Sequence, residues 1–177
     1  MAGSITLIVG GMFAGKSEEL VRLLNRLRIA QRRIIAFRPA RDTRQPRVKS
    51  RAGGEFDAVC VQKASEMLDL ATPHDVVGID EGQFFDEGLR DAVFALARGG
   101  KTVLVAALNA DFAGRPFPSV SPLYAIASEI DHVRAICVKC GGEASFSQRL
   151  VPSSERFVIG DGEYEARCLA CYEPPSS

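Results

Sequence analysis

Residues 10–17 carry the spacing G-x-x-x-x-G-K-S, formed by Gly10, Gly11, Met12, Phe13, Ala14, Gly15, Lys16 and Ser17. Glycines at these positions let the backbone curl until successive N–H groups face phosphate oxygens, and a following helix adds its positive N-terminal end. Lys16 supplies a mobile charge for the β and γ phosphates of a nucleotide, and Ser17 a hydroxyl suited to Mg2+. The alternative is a plain glycine turn; an apolar run before it and an amphipathic segment after it argue for the phosphate loop. A second constellation, Asp80-Glu81, follows the apolar residues 76–79. At a strand end, Asp80 could orient Mg2+ while Glu81 reaches another part of the cleft and accepts a proton from an attacking hydroxyl. A solvated strand end is the bland reading of that pair, and the phosphate loop weighs against it. Arg44, in Arg41-Asp42-Thr43-Arg44, could neutralise charge on a transferring phosphoryl group, with Arg51 a weaker candidate.

Four of the five cysteines form Cys137-x2-Cys140 and Cys168-x2-Cys171, separated by 27 residues. Two such knuckles complete a tetrahedral Zn2+ site, and four protein ligands mark it as structural rather than catalytic. Two disulfides are the alternative. Cys60, in the apolar run 58–61, reads as a buried core thiol. His74 and His132 form neither a catalytic pair nor a metal site.

These groups need a scaffold. Residues 5–9 read as a buried strand, 17–30 as an amphipathic helix with Leu20, Val21, Leu23, Leu24 and Leu27 on its apolar side, and 34–37 as a second strand. Strand, helix, strand at this spacing is a βαβ unit. Residues 38–55 lack a period and read as a loop or mobile excursion. Residues 76–80 and 101–108 read as further strands, with a helix over 87–97 between them carrying Leu89, Val93, Phe94 and Leu96 on or near its apolar side. Near-continuous apolar strands alternating with helices give an α/β fold with a mainly parallel sheet flanked by helices. A boundary near 135 divides a nucleotide-binding core, 1–135, from a cysteine subdomain, 136–172, and a tail, 173–177.

Twenty-two basic and 22 acidic residues leave no formal net charge, so bulk electrostatics favour a small-molecule substrate over nucleic acid or an anionic membrane. No apolar run approaches the roughly 20 residues that cross a bilayer. The residues alone leave open a kinase for any small hydroxylic substrate. A zinc-containing nucleic-acid-binding ATPase predicts a basic, aromatic surface that the composition lacks, and a non-enzymatic zinc-ribbon module leaves the phosphate loop and Asp80-Glu81 without a joint purpose.

Residues 10–17, Asp42-Thr43-Arg44, Ile79-Asp80-Glu81-Gly82-Gln83-Phe84-Phe85, Val105-Ala106-Ala107-Leu108 and the four cysteines, in this order, resemble the type II thymidine kinase family. The little chain after the last cysteine resembles its short virus-encoded members. The resemblance implies a P-loop NTPase-like core with a zinc-ribbon/lasso subdomain, and transfer of the ATP γ-phosphate to the 5'-hydroxyl of thymidine with Mg2+ and a structural Zn2+. It further implies a cytoplasmic homotetramer, in the host cytoplasm if virus-encoded, with thymidine triphosphate as feedback inhibitor. Glu81 matches the family's general base, Asp80 its magnesium-orienting carboxylate and Arg44 a phosphate-side arginine. Met12, Asp42, Phe84, Leu108, Phe112 and Phe117 match positions around the nucleoside, and Ser147, Val158 and Tyr164 match lasso positions near the thymine. The sequence departs from the family pattern in three places: Gly11 stands where proline is common, Asn109-Ala110-Asp111-Phe112 where Asp-Gly-Thr-Phe is frequent, and the 160–164 turn is one residue shorter.

Overall fold

The structure is a computed structural model that describes residues 3–40, 47–49, 55–152, 155, 158, 160 and 162–175. Its centre is a six-stranded sheet, all pairings parallel, built from β1 (Ser4–Gly10), β2 (Ile34–Pro39), β5 (Val59–Val61), β6 (Val76–Ile79), β7 (Thr102–Leu108) and β8 (Glu129–His132) in the spatial order β5-β2-β6-β7-β1-β8. The period of two in these strands sorts their side chains between the two faces. Ile5, Leu7, Val9, Val77, Ile79, Val103 and Val105 meet Leu89, Val93 and Leu96 of α3 (Leu89–Arg98) and Met67 of α2 (Glu66–Leu70). Ile8, Ala36, Val76, Leu104 and Ala106 meet Leu20, Val21 and Leu24 of α1 (Lys16–Ile29) on the opposite face.

α1 begins at Gly15, whose φ of 82° lets the chain turn out of the glycine-rich loop. Glu18 and Glu19 in its first turn and Arg26 and Arg28 in its last complement the helix dipole. Gly78 lets α1 lie close on the sheet, because a Cβ there would come within 2.9 Å of a Leu24 methyl. Leu24 is fully buried, a burial worth roughly 1.5–3 kcal/mol.

Three sequence expectations change. The stretch read as a loop contains a hairpin, β3 (Arg47–Lys49) antiparallel to β4 (Glu55–Asp57), whose Val48 and Phe56 pack in the cluster around α1. Cys60 is exposed rather than buried, because β5 is an edge strand, paired among the described residues with β2 alone. Phe94 is exposed on α3, with the guanidinium groups of Arg90 and Arg98 at 4.8 and 5.9 Å from its ring centre.

After β8 the chain forms two short hairpins, β9 (Ala135–Ile136) with β10 (Glu143–Ala144) and β11 (Phe146–Arg149) with β12 (Tyr164–Arg167). Ala135, Cys137, Ala144 and Ala166 make a small cluster of their own, with Ala14 of the glycine-rich loop packed against it. So few apolar groups cannot hold such a unit without a further cross-link. Among the described residues no helix is long and apolar enough to cross a membrane.

Candidate active site

In an open parallel sheet, ligands bind beyond the carboxyl ends of the strands. Here the register aligns those ends: Gly10 lies opposite Leu108, Phe37 opposite Ile79, and Ile79 opposite Val105. The glycine-rich loop, Arg38, Asp80 and Leu108 therefore gather at one edge. Gly10 has no room for a side chain, since a Cβ would sit 2.3 Å from the Val133 carbonyl oxygen. The Lys16 ammonium donates to the Gly11 carbonyl at 2.7 Å.

Asp80 is 3% exposed and lies just past β6. Its Oδ1 accepts a hydrogen bond from the Ser17 hydroxyl at 2.9 Å, across 63 residues of sequence. Its Oδ2 lies 3.9 Å from Nε of Arg38, which is also buried. Burial first, then the neighbouring Glu81 charge, pushes the Asp80 carboxyl up to about 7, with Arg38 and the Ser17 hydrogen bond opposing. A carboxylate and a hydroxyl converging at a buried strand end form a donor set suited to a hard divalent cation.

Glu81 adopts a left-handed backbone, φ 55° and ψ 43°, and begins the 3-10 turn Gly82–Phe84. Its Oε2 accepts from the Gln83 amide at 2.5 Å. Phe84, in that turn, and Leu108, at the end of β7, are half-buried, as is Met12. Phe117 is 2% exposed and packs with Ala107 and Val120. Phe112 follows Asp111, whose carboxylate accepts from the Ala113 and Arg115 N–H groups and so shapes the loop.

The hairpin unit reaches the same edge. The Ser147 hydroxyl accepts from the Met12 N–H at 2.9 Å, and Asn109 Nδ2 donates to the Ser145 carbonyl at 3.3 Å. Arg149 lies over the Phe112 ring, 3.4 Å from its centre, and donates to the Tyr164 hydroxyl at 3.1 Å. That hydroxyl also accepts from the Val158 N–H. Val158, Tyr164 and Phe112 are thus brought together around Arg149, and Ser147 is brought to Met12, whereas Asp42 and Arg44 lie outside the described residues.

The ligand sulfurs of Cys137, Cys140, Cys168 and Cys171 lie within 4.8 Å of one another, all as free thiols, and Cys140 and Cys168 are 3.6 Å apart. Sulfurs about 2.3 Å from a tetrahedral centre would be separated by roughly 3.8 Å, so the cluster fits a structural metal and not two disulfides. Backbone N–H donors, that of Cys168 foremost, draw the Cys137 thiol down to about 6, while its hydrogen bond with Cys168 pushes Cys171 up to about 12.

Sequence reasoning missed Arg38, Gln83 and Tyr172. Parallel strand register could have found Arg38, since Phe37 opposite Ile79 sets Arg38 beside Asp80.

An α/β enzyme scaffold with a phosphate-loop sequence, a buried acid beside it and a four-cysteine cluster narrows the class to nucleotide-using transferases. The thymidine kinase family model matches residues 3–172. A thymidine kinase from Bacteroides thetaiotaomicron is 43% identical over 173 residues, covering 96% of this chain and 87% of the relative. One from Rhodothermus sp. is 42% identical, covering 98% and 83%, and one from Roseiflexus sp. 41%, covering 98% and 97%. The chain belongs to the thymidine kinase family. The expected likeness to the type II family's short virus-encoded members is overturned: these relatives are bacterial, and the chain spans most of their length.

Proposed function

We propose that this ATP-dependent thymidine kinase transfers the γ-phosphate to the 5'-hydroxyl of thymidine with Glu81 as proton acceptor. The observation that carries the reading is the 2.9 Å contact between Ser17 and Asp80, which joins the phosphate loop to the residue directly before Glu81. The core is read as P-loop NTPase-like: N–H groups of residues 10–17 and the Lys16 ammonium bind the ATP phosphates. Ser17 and Asp80 would hold Mg2+, which when bound offsets charge on the phosphate oxygens. Glu81 takes the 5'-hydroxyl proton as that oxygen bonds to the γ-phosphorus, and the bond to the β–γ bridging oxygen breaks to release ADP. Arg44 would face the transferring group.

Met12, Asp42, Phe84, Leu108, Phe112 and Phe117 would surround the nucleoside, with Ser147, Val158 and Tyr164 closing on the base. The four thiolates would hold Zn2+ and give 136–172 a zinc-ribbon/lasso character distinct from the 1–135 core and the 173–177 tail. By family resemblance the enzyme works as a cytoplasmic homotetramer inhibited by thymidine triphosphate.

Rapid-quench measurement of the first turnover, with equilibrium binding of thymidine and Mg-ATP, tests the central assignment. Glu81→Gln should bind both substrates and react roughly 100-fold or more slowly. Thymidine monophosphate formed at the parent rate rules the assignment out.

A further inference from the structure

A glutamate in the left-handed region is uncommon, and such a conformation persists where the surroundings over-determine it. Glu81 has that backbone, and the turn after it is firmly held. Ser119 donates its hydroxyl hydrogen to the Gly82 carbonyl at 3.2 Å, and a Cβ on Gly82 would lie 3.1 Å from that of Ala107. The next residue, Gln83, is 4% exposed and has both ends of its amide engaged. Its Oε1 accepts the Leu108 N–H at 3.0 Å, and its Nε2 donates to Glu81 Oε2 at 2.5 Å. The first bond decides the second: reversing the amide would set its NH2 against the Leu108 N–H, so the donor end must face Glu81. Leu108 ends β7, a strand hydrogen-bonded on both sides within the sheet.

We propose that Gln83 is the positioning residue for Glu81, carrying the rigidity of β7 into the carboxylate that takes the substrate proton. It fixes one carboxylate oxygen, and through it the orientation of the whole group. The inference rests on the reading of Glu81 as proton acceptor.

Two variants test it. Gln83→Met keeps the volume and removes both hydrogen bonds; Gln83→Glu keeps an acceptor for the Leu108 N–H and sets a second carboxyl, in place of the amide donor, against Glu81, so the bond to β7 survives even if Gln83→Met does not fold. Both should slow the first turnover by roughly 10- to 100-fold while equilibrium binding of thymidine and Mg-ATP holds. In a Glu81→Gln background, Gln83→Glu should cause no further loss, because a residue acting through another has nothing left to act on. A parent first-turnover rate in folded Gln83→Glu, a loss confined to substrate binding, or the same fold-loss with and without Glu81 overturns the proposal. Failure of the acceptor assignment is separately visible, as a parent rate in Glu81→Gln alone.

Discussion

The Tyr172 hydroxyl donates a 2.6 Å hydrogen bond to the carbonyl oxygen of Phe112. Tyr172 follows Cys171 directly, and its ring stacks on Phe146 with centroids 4.6 Å apart. The cysteine cluster is thereby tied to the loop that bears Phe112. Tyr172→Phe keeps the stack and removes the bond, a net loss of about 0.5–1.5 kcal/mol. Thymidine should bind roughly 2- to 10-fold more weakly by calorimetry, with the first turnover at saturating substrate unchanged. Unchanged affinity would show that other contacts hold the loop.

Lys16→Ala removes the cation proposed to meet the ATP phosphates and leaves the cysteine unit untouched. Turnover should fall to near background while metal content and melting temperature stay close to those of the parent. Near-parent turnover would end the phosphate role of Lys16.

Cys140→Ser deprives the cluster of one thiolate. Bound metal should drop, the 137–171 region should exchange amide hydrogens faster, and thymidine affinity should fall with it. Full metal occupancy with unchanged melting would argue against a four-cysteine site.

Asp80 links the site to pH. Its carboxyl is raised to about 7 from the ordinary 3.8, so the folded protein keeps a proton that the unfolded chain has released between those values. The unfolded state then binds fewer protons, and stability of the Mg2+-free protein should fall as pH rises from about 4 to about 7. Asp80→Asn should flatten that slope in denaturant titrations at stepped pH. An equal slope in both proteins would place the charge burden elsewhere.

The chemistry-bearing residues were legible where local pattern and strand end coincide. Lys16, Ser17, Asp80 and the cysteines stand at spacings that only a few structures explain, and β1, α1, β6 and β7 announce themselves through apolar period. Gln83 lay inside a quoted motif, yet its task depends on meeting the Leu108 N–H, 25 residues away, which no local pattern contains. Cys60 was misread because an apolar run says nothing about which strand becomes an edge. The β3–β4 hairpin escaped because three-residue strands are too short to show a period.

The Ser147 hydroxyl takes the Met12 amide hydrogen and still has its own hydrogen to offer. A single oxygen thus fastens the hairpin to the glycine-rich loop across 135 residues of sequence. Alanine at 147 would remove that bond and loosen the join between the two. Together with the Asn109–Ser145 bond it keeps the two parts in register.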